Sequence, residues 1–191
     1  MEERIYGTNE QYSAFYRAKN IGDNFEKGKE MKSLAEKGFA PAEYWMATTY
    51  LNSCAKKYGF KSDTTMAFNE HPFEHTPDYI TGLKWAKKAA AHGYVFAYRK
   101  VAVCYSLGNG TRQNYNEALK WHFKAADEYL YVDYDDKTAV LADTYAYISE
   151  VYTDMRDFAN AEKYSRLALK TDSRSDLAQL SVKYLEAAKR Y

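Results

Sequence analysis

The clearest metal-binding spacing in the chain is His71-x-x-Glu74-His75. A zinc-dependent hydrolase needs two histidines one helical turn apart, a third ligand and a glutamate that acts as the base. Pro72 and Pro77 bracket this segment, however, and the residue before a proline resists helical backbone. Because the sequence also offers no third ligand, a zinc hydrolase that uses these histidines is the least favoured of the alternatives.

Two other catalytic arrangements, a cysteine nucleophile and a phosphate-binding loop, are each incomplete in this sequence. Cys104 together with His92 or His122 suggests a thiol nucleophile, but Cys104 stands beside Tyr105 in a predicted helix, where a buried structural cysteine is expected. The Gly108–Thr111 turn is not followed by the lysine of a phosphate-binding loop. We therefore predict no catalytic residue, no metal ligand and no cofactor.

The composition restricts the classes of protein and of partner. Of 191 residues, 20 are tyrosine and 17% are aromatic, which excludes a disordered tail. The chain has 27 basic and 26 acidic residues, whereas a dedicated nucleic-acid binder carries a clear basic excess. It shows no long apolar run and no secretory signal near Met1. We therefore expect a cytoplasmic protein, with reduced cysteines and no nucleic-acid or membrane partner.

The elements that must position any site are helices, because apolar residues recur at helical spacing and strand-like alternation is absent. Nine helices are predicted, over 9–20, 24–37, 42–53, 79–92, 95–107, 115–130, 138–154, 158–171 and 175–190.

Internal repeats relate these helices to one another. Tyr79–Ala90 and Tyr115–Ala126 share seven identities in twelve columns. A second alignment sets Gly38 against Gly93 and Tyr50 against Tyr105. Small residues in these columns let helices approach closely, and the glycines are placed to end helices in the left-handed conformation. A single helix pair cannot bury its own apolar face, so several pairs must stack to form a core.

The repeat columns resemble the SEL-1-like repeat of the tetratricopeptide (TPR) superfamily. They are Ala97, Val101, Ala102, Tyr105, Gly108, Gly110, Tyr115, Ala118, Leu119, Trp121, Ala125 and Ala126. The resemblance implies an all-α, right-handed α-α superhelix (solenoid) of about three to four helix pairs with a C-terminal cap helix. We expect a single domain over 1–191, with an N-terminal capping helix in 1–23, an insertion loop over 53–78 and the cap helix over 175–190.

The same resemblance implies a non-catalytic protein-interaction scaffold that binds a peptide or a partner helix in its concave groove. Positions between the packing columns of each pair's first helix should face that groove. The predicted partner-binding residues are Tyr44, Thr48, Asn52, Phe96, Arg99, Val103, Ser106, Asp143 and Glu150, with Leu51, Ala146 and Thr153 as further candidates. The alternative is a self-associating structural adaptor, and we expect a monomer or a weak homo-oligomer.

The tyrosines divide into a packing set and a surplus. Repeat columns hold Tyr50, Tyr79, Tyr105, Tyr115, Tyr152 and Tyr164, which are expected to pack. Among the others, we expect Tyr44, Tyr129, Tyr131 and Tyr134 to be exposed contacts. The insertion over 53–78 also carries aromatic residues, which either hold it against the solenoid or contact a partner.

Overall fold

The computed structural model describes residues 6–57, 77–131 and 136–190, with the side chains of 53–57 and 77 left out. Over these ranges the chain forms nine helices and no strand. The helices are α1 (Asn9–Lys19), α2 (Asn24–Glu36), α3 (Ala40–Lys57), α4 (Pro77–Ala91), α5 (Val95–Leu107), α6 (Tyr115–Tyr129), α7 (Lys137–Asp154), α8 (Phe158–Thr171) and α9 (Asp176–Ala188). The all-α prediction is confirmed.

Short polar side chains begin most of the helices. Thr8 and Gln11 form a reciprocal capping box at the start of α1. The side chains of further N-cap residues accept a backbone N–H at the third helical position, and these residues are Asp23, Asn114, Asp157 and Ser175. Each cap satisfies a donor that the first helical turn leaves unpaired. The sequence therefore specifies where these helices start.

Glycines end the helices where the repeat predicts that they should. Gly38 and Gly93 follow α2 and α4 with φ angles of +79° and +78°. Gly108 and Gly110 adopt φ angles of +72° and +71° in the turn after α5. This left-handed backbone is unfavourable for a residue with a Cβ, so the predicted helix-ending role of Gly38 and Gly93 is confirmed, and Gly108 and Gly110 lie in the predicted turn.

The helix boundaries agree with the predicted ones within a few residues, and the largest difference lies at the insertion. Helix α3 continues to Lys57 and α4 begins at Pro77, so both ends of the predicted 53–78 loop are helical. A proline suits the first position of a helix because the N–H that it lacks would have no partner there. Residues 58–76, with His71, Glu74 and His75, lie outside the described residues.

Helices α1–α5 form one compact unit, Arg4–Gln113, which we call the N-terminal unit. In it α1 packs on α2, α2 on α3, α3 on α4 and α4 on α5. The fully buried Phe39 and Met31 lie in a core cluster that Trp45, Tyr50 and Trp85 also contact. A Cβ at Gly82 would lie 2.8 Å from the Leu51 side chain, so α3 and α4 approach closely only because this residue is glycine.

Helices α6–α9 form the second compact unit, Asn114–Tyr191, which we call the C-terminal unit. Helix α7 lies at its centre and packs on α6, α8 and α9. Ala146, Ala168 and Ala178 are fully buried and meet in one cluster, which brings α7, α8 and α9 together. The predicted cap helix corresponds to α9, whereas the single-domain organisation stays a prediction.

Candidate functional site

Four aromatic rings of the N-terminal unit lie against one another in a half-buried group, Tyr6, Tyr44, Tyr94 and Phe96, which we call the aromatic surface. The ring centroids of Tyr44 and Tyr94 are 5.2 Å apart, and those of Tyr94 and Phe96 are 5.5 Å apart. Tyr6 meets Tyr94 edge to face at 5.0 Å. Tyr44 and Phe96, both predicted from sequence, are thus brought within 6.4 Å of each other.

The repeat explains why these rings meet. Gly38 and Gly93 reverse the chain just before α3 and α5, which places Tyr44 and Phe96 near the starts of two successive first helices. Tyr94 is the N-cap residue of α5 and lies against both rings. Burial, and then the neighbouring phenols beginning with Tyr44 and Tyr6, raise the pKa of Tyr94 well above its ordinary value. Tyr94 therefore stays neutral under physiological conditions.

The remaining residues predicted in the N-terminal unit differ in accessibility. Asn52 is exposed, and Thr48, Arg99 and Val103 are half-buried. The hydroxyl of Thr48 donates to the carbonyl of Trp45, 2.9 Å away, so it is held on its own helix.

Two other predicted residues of this unit are turned toward the protein. Ser106 is 9% exposed and its hydroxyl donates to the carbonyl of Val103 at 3.1 Å. Leu51 lies against Gly82 of α4. Neither side chain presents a functional group to a partner, so we leave both out of the binding surface.

In the C-terminal unit, Asp143 and Glu150 are half-buried on α7. Asp143 accepts a hydrogen bond from the Ser175 hydroxyl at 2.8 Å, which joins α7 to the start of α9. The further candidates Ala146 and Thr153 are buried, at 0% and 2% exposure. Expecting them to face a groove was wrong, because α7 is covered by neighbouring helices on several sides and offers little free surface.

Beside Glu150 lies a pair of residues that the sequence did not indicate. The Tyr184 hydroxyl of α9 donates to Oδ1 of Asp154 at 2.6 Å. Burial, followed by repulsion from Asp154, raises the pKa of Glu150 to about 7. Burial likewise raises the pKa of Asp154, and the hydrogen bond from Tyr184 opposes that rise. Helical spacing from Glu150 could have identified Asp154, whereas no sequence signal points to Tyr184.

The surplus tyrosines do not share one environment. Tyr131 is 74% exposed, as expected, but Tyr129 is fully buried in the C-terminal unit. The prediction for Tyr129 was wrong, because this last residue of α6 is packed inside the unit and not at its surface. Tyr134 lies outside the described residues.

The described residues offer little catalytic chemistry. Burial raises the pKa of Cys104 to about 12, so its thiol stays protonated and unreactive. Over residues 6–57, 77–131 and 136–190, no three metal-ligating side chains come together. In the same ranges, no helix combines the length and apolar character that crossing a membrane requires.

Comparison with protein families supports the repeat assignment. Residues 72–94 and 95–129 each match the Sel1 repeat. The second match covers α5 and α6, the pair on which the sequence resemblance rests. No curated protein matches the chain as a significant relative.

Two solved structures have a similar fold. The chain is 18% identical to a Sel1 repeat protein from Oxalobacter formigenes, with a TM-score of 0.56 over 93% of this chain and 70% of that one. It is 22% identical to c5321, a protective antigen of uropathogenic Escherichia coli with an SLR fold. That match has a TM-score of 0.54 and covers 85% of this chain but only 29% of the antigen.

At these identities the two structures establish the fold class alone, which is the helical-repeat solenoid of Sel1 proteins. Members of the Sel1 family generally act as protein-interaction scaffolds. The repeat columns, the two matched segments and the shared fold agree, and residues 72–129 carry two Sel1 repeats within a helical-repeat fold.

Proposed function

We propose that this chain is a scaffold that binds a peptide or a helix of a partner protein through its aromatic surface, without catalysing a reaction. The proposal goes beyond the general role of Sel1 repeats in protein interaction because it names the surface. The contact of Tyr44 with Phe96 is the observation that carries it. The two residues come from successive first helices, and their rings lie 6.4 Å apart on one half-buried surface.

The chemistry of this surface suits a protein partner. Tyrosine and phenylalanine provide a large contact area with few rotatable bonds, so little conformational entropy is lost when a partner covers them. The rings already pack on Tyr94, which holds them in place before binding. Thr48, Asn52, Arg99 and Val103 lie on the same two helices and are the further candidate contacts for a partner.

We also propose that no reaction is catalysed at or near the aromatic surface. Cys104, the nucleophile candidate nearest to this surface along α5, is 1% exposed and its pKa is about 12. Tyr94 is held neutral by burial and by its tyrosine neighbours. Neither group is suited to act as a nucleophile or a base near neutral pH.

A selection of random peptides displayed on phage tests this proposal. Peptides enriched on the folded protein are synthesised, and their affinities are measured by fluorescence polarisation. Tyr44→Ala and Phe96→Ala should each weaken binding at least about tenfold, as expected for aromatic residues at the centre of an interface. Circular dichroism confirms that the variants fold.

Tyr131→Ala is the matched control, because Tyr131 is a highly exposed tyrosine of the C-terminal unit. It should leave the affinity unchanged. The proposal fails if no displayed peptide binds saturably, or if Tyr44→Ala and Phe96→Ala bind as well as the wild-type protein.

Self-association is a second candidate, favoured by exposed apolar side chains on α9. Leu180 is 45% exposed and Tyr184 36%, one helical turn apart. Such side chains can form the contact between two copies of a chain. Light scattering over a concentration series tests this alternative. Leu180→Lys should abolish any dimer, and a constant monomer mass would dismiss self-association.

A further inference from the structure

The outward face of α4 carries positive charge and no carboxylate. Lys84, Lys87 and Lys88 are exposed on this helix, and Ile80, which is 44% exposed, lies one turn before Lys84 on the same face. The acidic residue of α4 is Asp78, which stands in the first turn, where a negative charge complements the helix dipole. We call the three lysines together with Ile80 the basic face.

The helix that matches α4 in the repeat neutralises its lysine, whereas α4 does not. On α6, Nζ of Lys120 lies 3.6 Å from Oε1 of Glu117. The repeat sets Lys84 against Lys120, and Thr81 stands where α6 has Glu117. Helices α2 and α8 also contain such pairs. Within the part of the chain that the structure describes, no lysine of the basic face forms an ion pair with a carboxylate.

The sequence around the basic face is also strongly asymmetric in charge, although the whole chain is nearly balanced. Residues 77–113 contain one acidic side chain, that of Asp78. The basic residues of this segment are Lys84, Lys87, Lys88, Arg99, Lys100 and Arg112. Positive charge is therefore concentrated in α4, α5 and the turn that follows, where it attracts an acidic partner.

Two aromatic rings restrict the lysine side chains of the basic face. Nζ of Lys88 lies 4.5 Å from the ring centroid of Trp85, and Nζ of Lys87 lies 4.9 Å from that of Tyr105 on α5. A cation is attracted to the negative face of an aromatic ring, so these contacts favour one position of each long side chain. Less conformational entropy is then lost when a carboxylate binds.

We infer that the basic face binds an acidic helix of a partner protein. Ile80, Lys84 and Lys88 recur every four residues and span about 12 Å, at about 1.5 Å per residue. A second α-helix has the same rise, so glutamates at four-residue spacing can meet the lysines while an apolar side chain covers Ile80. None of these residues belongs to the aromatic surface, so the basic face is a binding site beyond the proposed function.

The surroundings of the lysines favour a protein partner over a nucleic acid. Single-stranded nucleic acid binds basic surfaces on which its bases stack against aromatic rings. Here the rings of Trp85 and Tyr105 are half-buried, and each is contacted by a lysine. The exposed Ile80 suits an apolar side chain and offers nothing to a phosphate group.

Fluorescence anisotropy with a synthetic peptide tests the site. The labelled probe is an alanine-rich helix of about 18 residues, with three glutamates and one leucine along one face. Lys84→Gln and Lys88→Gln should each weaken binding about threefold, and the double variant about tenfold. Lys120→Gln is the matched control because Glu117 already neutralises this lysine, and it should leave the affinity unchanged. Circular dichroism confirms that the variants fold.

A second probe separates a specific site from general attraction between charges. It has the same composition, but its glutamates are distributed around the helix, and it should bind at least about tenfold more weakly. Equal affinities for the two probes, or equal losses in Lys84→Gln and Lys120→Gln, would overturn the inference. Tighter binding of an oligouridine of equal charge would assign the basic face to nucleic acid and overturn it as well.

Tyr44→Ala distinguishes this site from the aromatic surface. The variant should bind the acidic probe as the wild-type protein does, although it should bind the displayed peptides more weakly. Loss of the acidic probe in Tyr44→Ala would place its binding on the aromatic surface and overturn the inference. If the probe fails to bind the wild-type protein, the inference is wrong, whereas the proposed function is still tested by the displayed peptides.

Discussion

Nδ1 of His92 lies 2.7 Å from Oε2 of Glu43, and this contact joins the residue after α4 to the start of α3. The two partners differ sharply in accessibility, since the side chain of Glu43 is 1% exposed and that of His92 is 48% exposed. A buried carboxylate therefore depends on a histidine at the protein surface. A Cβ at Gly38 would meet the His92 ring at 3.6 Å, an ordinary contact, so glycine is required there by its φ angle of +79° and not by lack of space.

Replacement of His92 by alanine should lower the free energy of unfolding by about 1–3 kcal/mol, because it leaves a buried carboxylate without its donor. Urea denaturation followed by circular dichroism measures the change. In a Glu43→Gln background the same replacement should have a much smaller effect, since no buried charge remains. Equal losses in both backgrounds would show that the His92–Glu43 contact does not stabilise the fold.

Gly110→Ala should destabilise the protein more than Gly93→Ala. Both glycines have a left-handed backbone, which costs a residue with a Cβ about 1–2 kcal/mol. At Gly110 the added methyl group would also lie 2.4 Å from the carbonyl oxygen of Tyr79, whereas it meets nothing within 4 Å at Gly93. We expect an additional loss of about 1–3 kcal/mol for Gly110→Ala. Similar urea midpoints for the two variants would contradict the close contact with Tyr79.

Glu150→Gln should make the protein more stable at alkaline pH. Burial raises the pKa of Glu150 from 4.5 to about 7, so the folded state binds this proton more tightly than the unfolded chain does. The resulting stability is fully present below the unfolded pKa of 4.5 and is lost as the pH rises through about 7. The loss is on the order of 3 kcal/mol for this single group.

The thermal midpoint of Glu150→Gln should therefore exceed that of the wild-type protein at about pH 8 and approach it at about pH 5. Glu186→Gln, on an exposed part of α9, should show no such dependence. If the difference between Glu150→Gln and the wild-type protein is the same at both pH values, the carboxyl group of Glu150 does not titrate in this window.

Cys104 should resist alkylation while the protein is folded. Its thiol is 1% exposed and its pKa is about 12, so almost no thiolate exists at about pH 8. In a Cys54→Ser background, iodoacetamide labelling followed by mass spectrometry should be slow in buffer and fast in urea. Rapid labelling without urea would mean that α5 opens readily or that Cys104 is reactive.

The repeat pattern was sufficient to predict the helices because it fixes both their packing columns and their ends. Gly38 and Gly93 occupy the same column of the repeat, and the predicted left-handed turns are present at both. The repeat places the starts of the successive first helices α3 and α5 side by side, but it pairs Tyr44 with Arg99, so the contact of Tyr44 with Phe96 is not between equivalent positions. Regular packing is thus encoded by local sequence.

The sequence could not reveal contacts that depend on how many neighbouring helices pack against each helix. Thr153 and Ala146 have the spacing of surface positions, yet they are buried because α7 contacts three other helices. Tyr184 is distant from Asp154 along the chain, and their hydrogen bond depends on how α9 lies against α7. Ser149 likewise donates to the carbonyl of Ala161 at 2.8 Å, a buried link between α7 and α8 that no periodicity indicates.

The close packing of Gly82 against Leu51 has a consequence for protein engineering. This packing fixes the distance between α3 and α4 near the end of α3 and the start of α4. The turn at Gly110 also contacts Tyr79 and Ile80 at the start of α4. The helices are thus aligned by contacts outside the connection. A reporter domain grafted between Lys57 and Pro77 should therefore leave the packing of Leu51 against Gly82 intact.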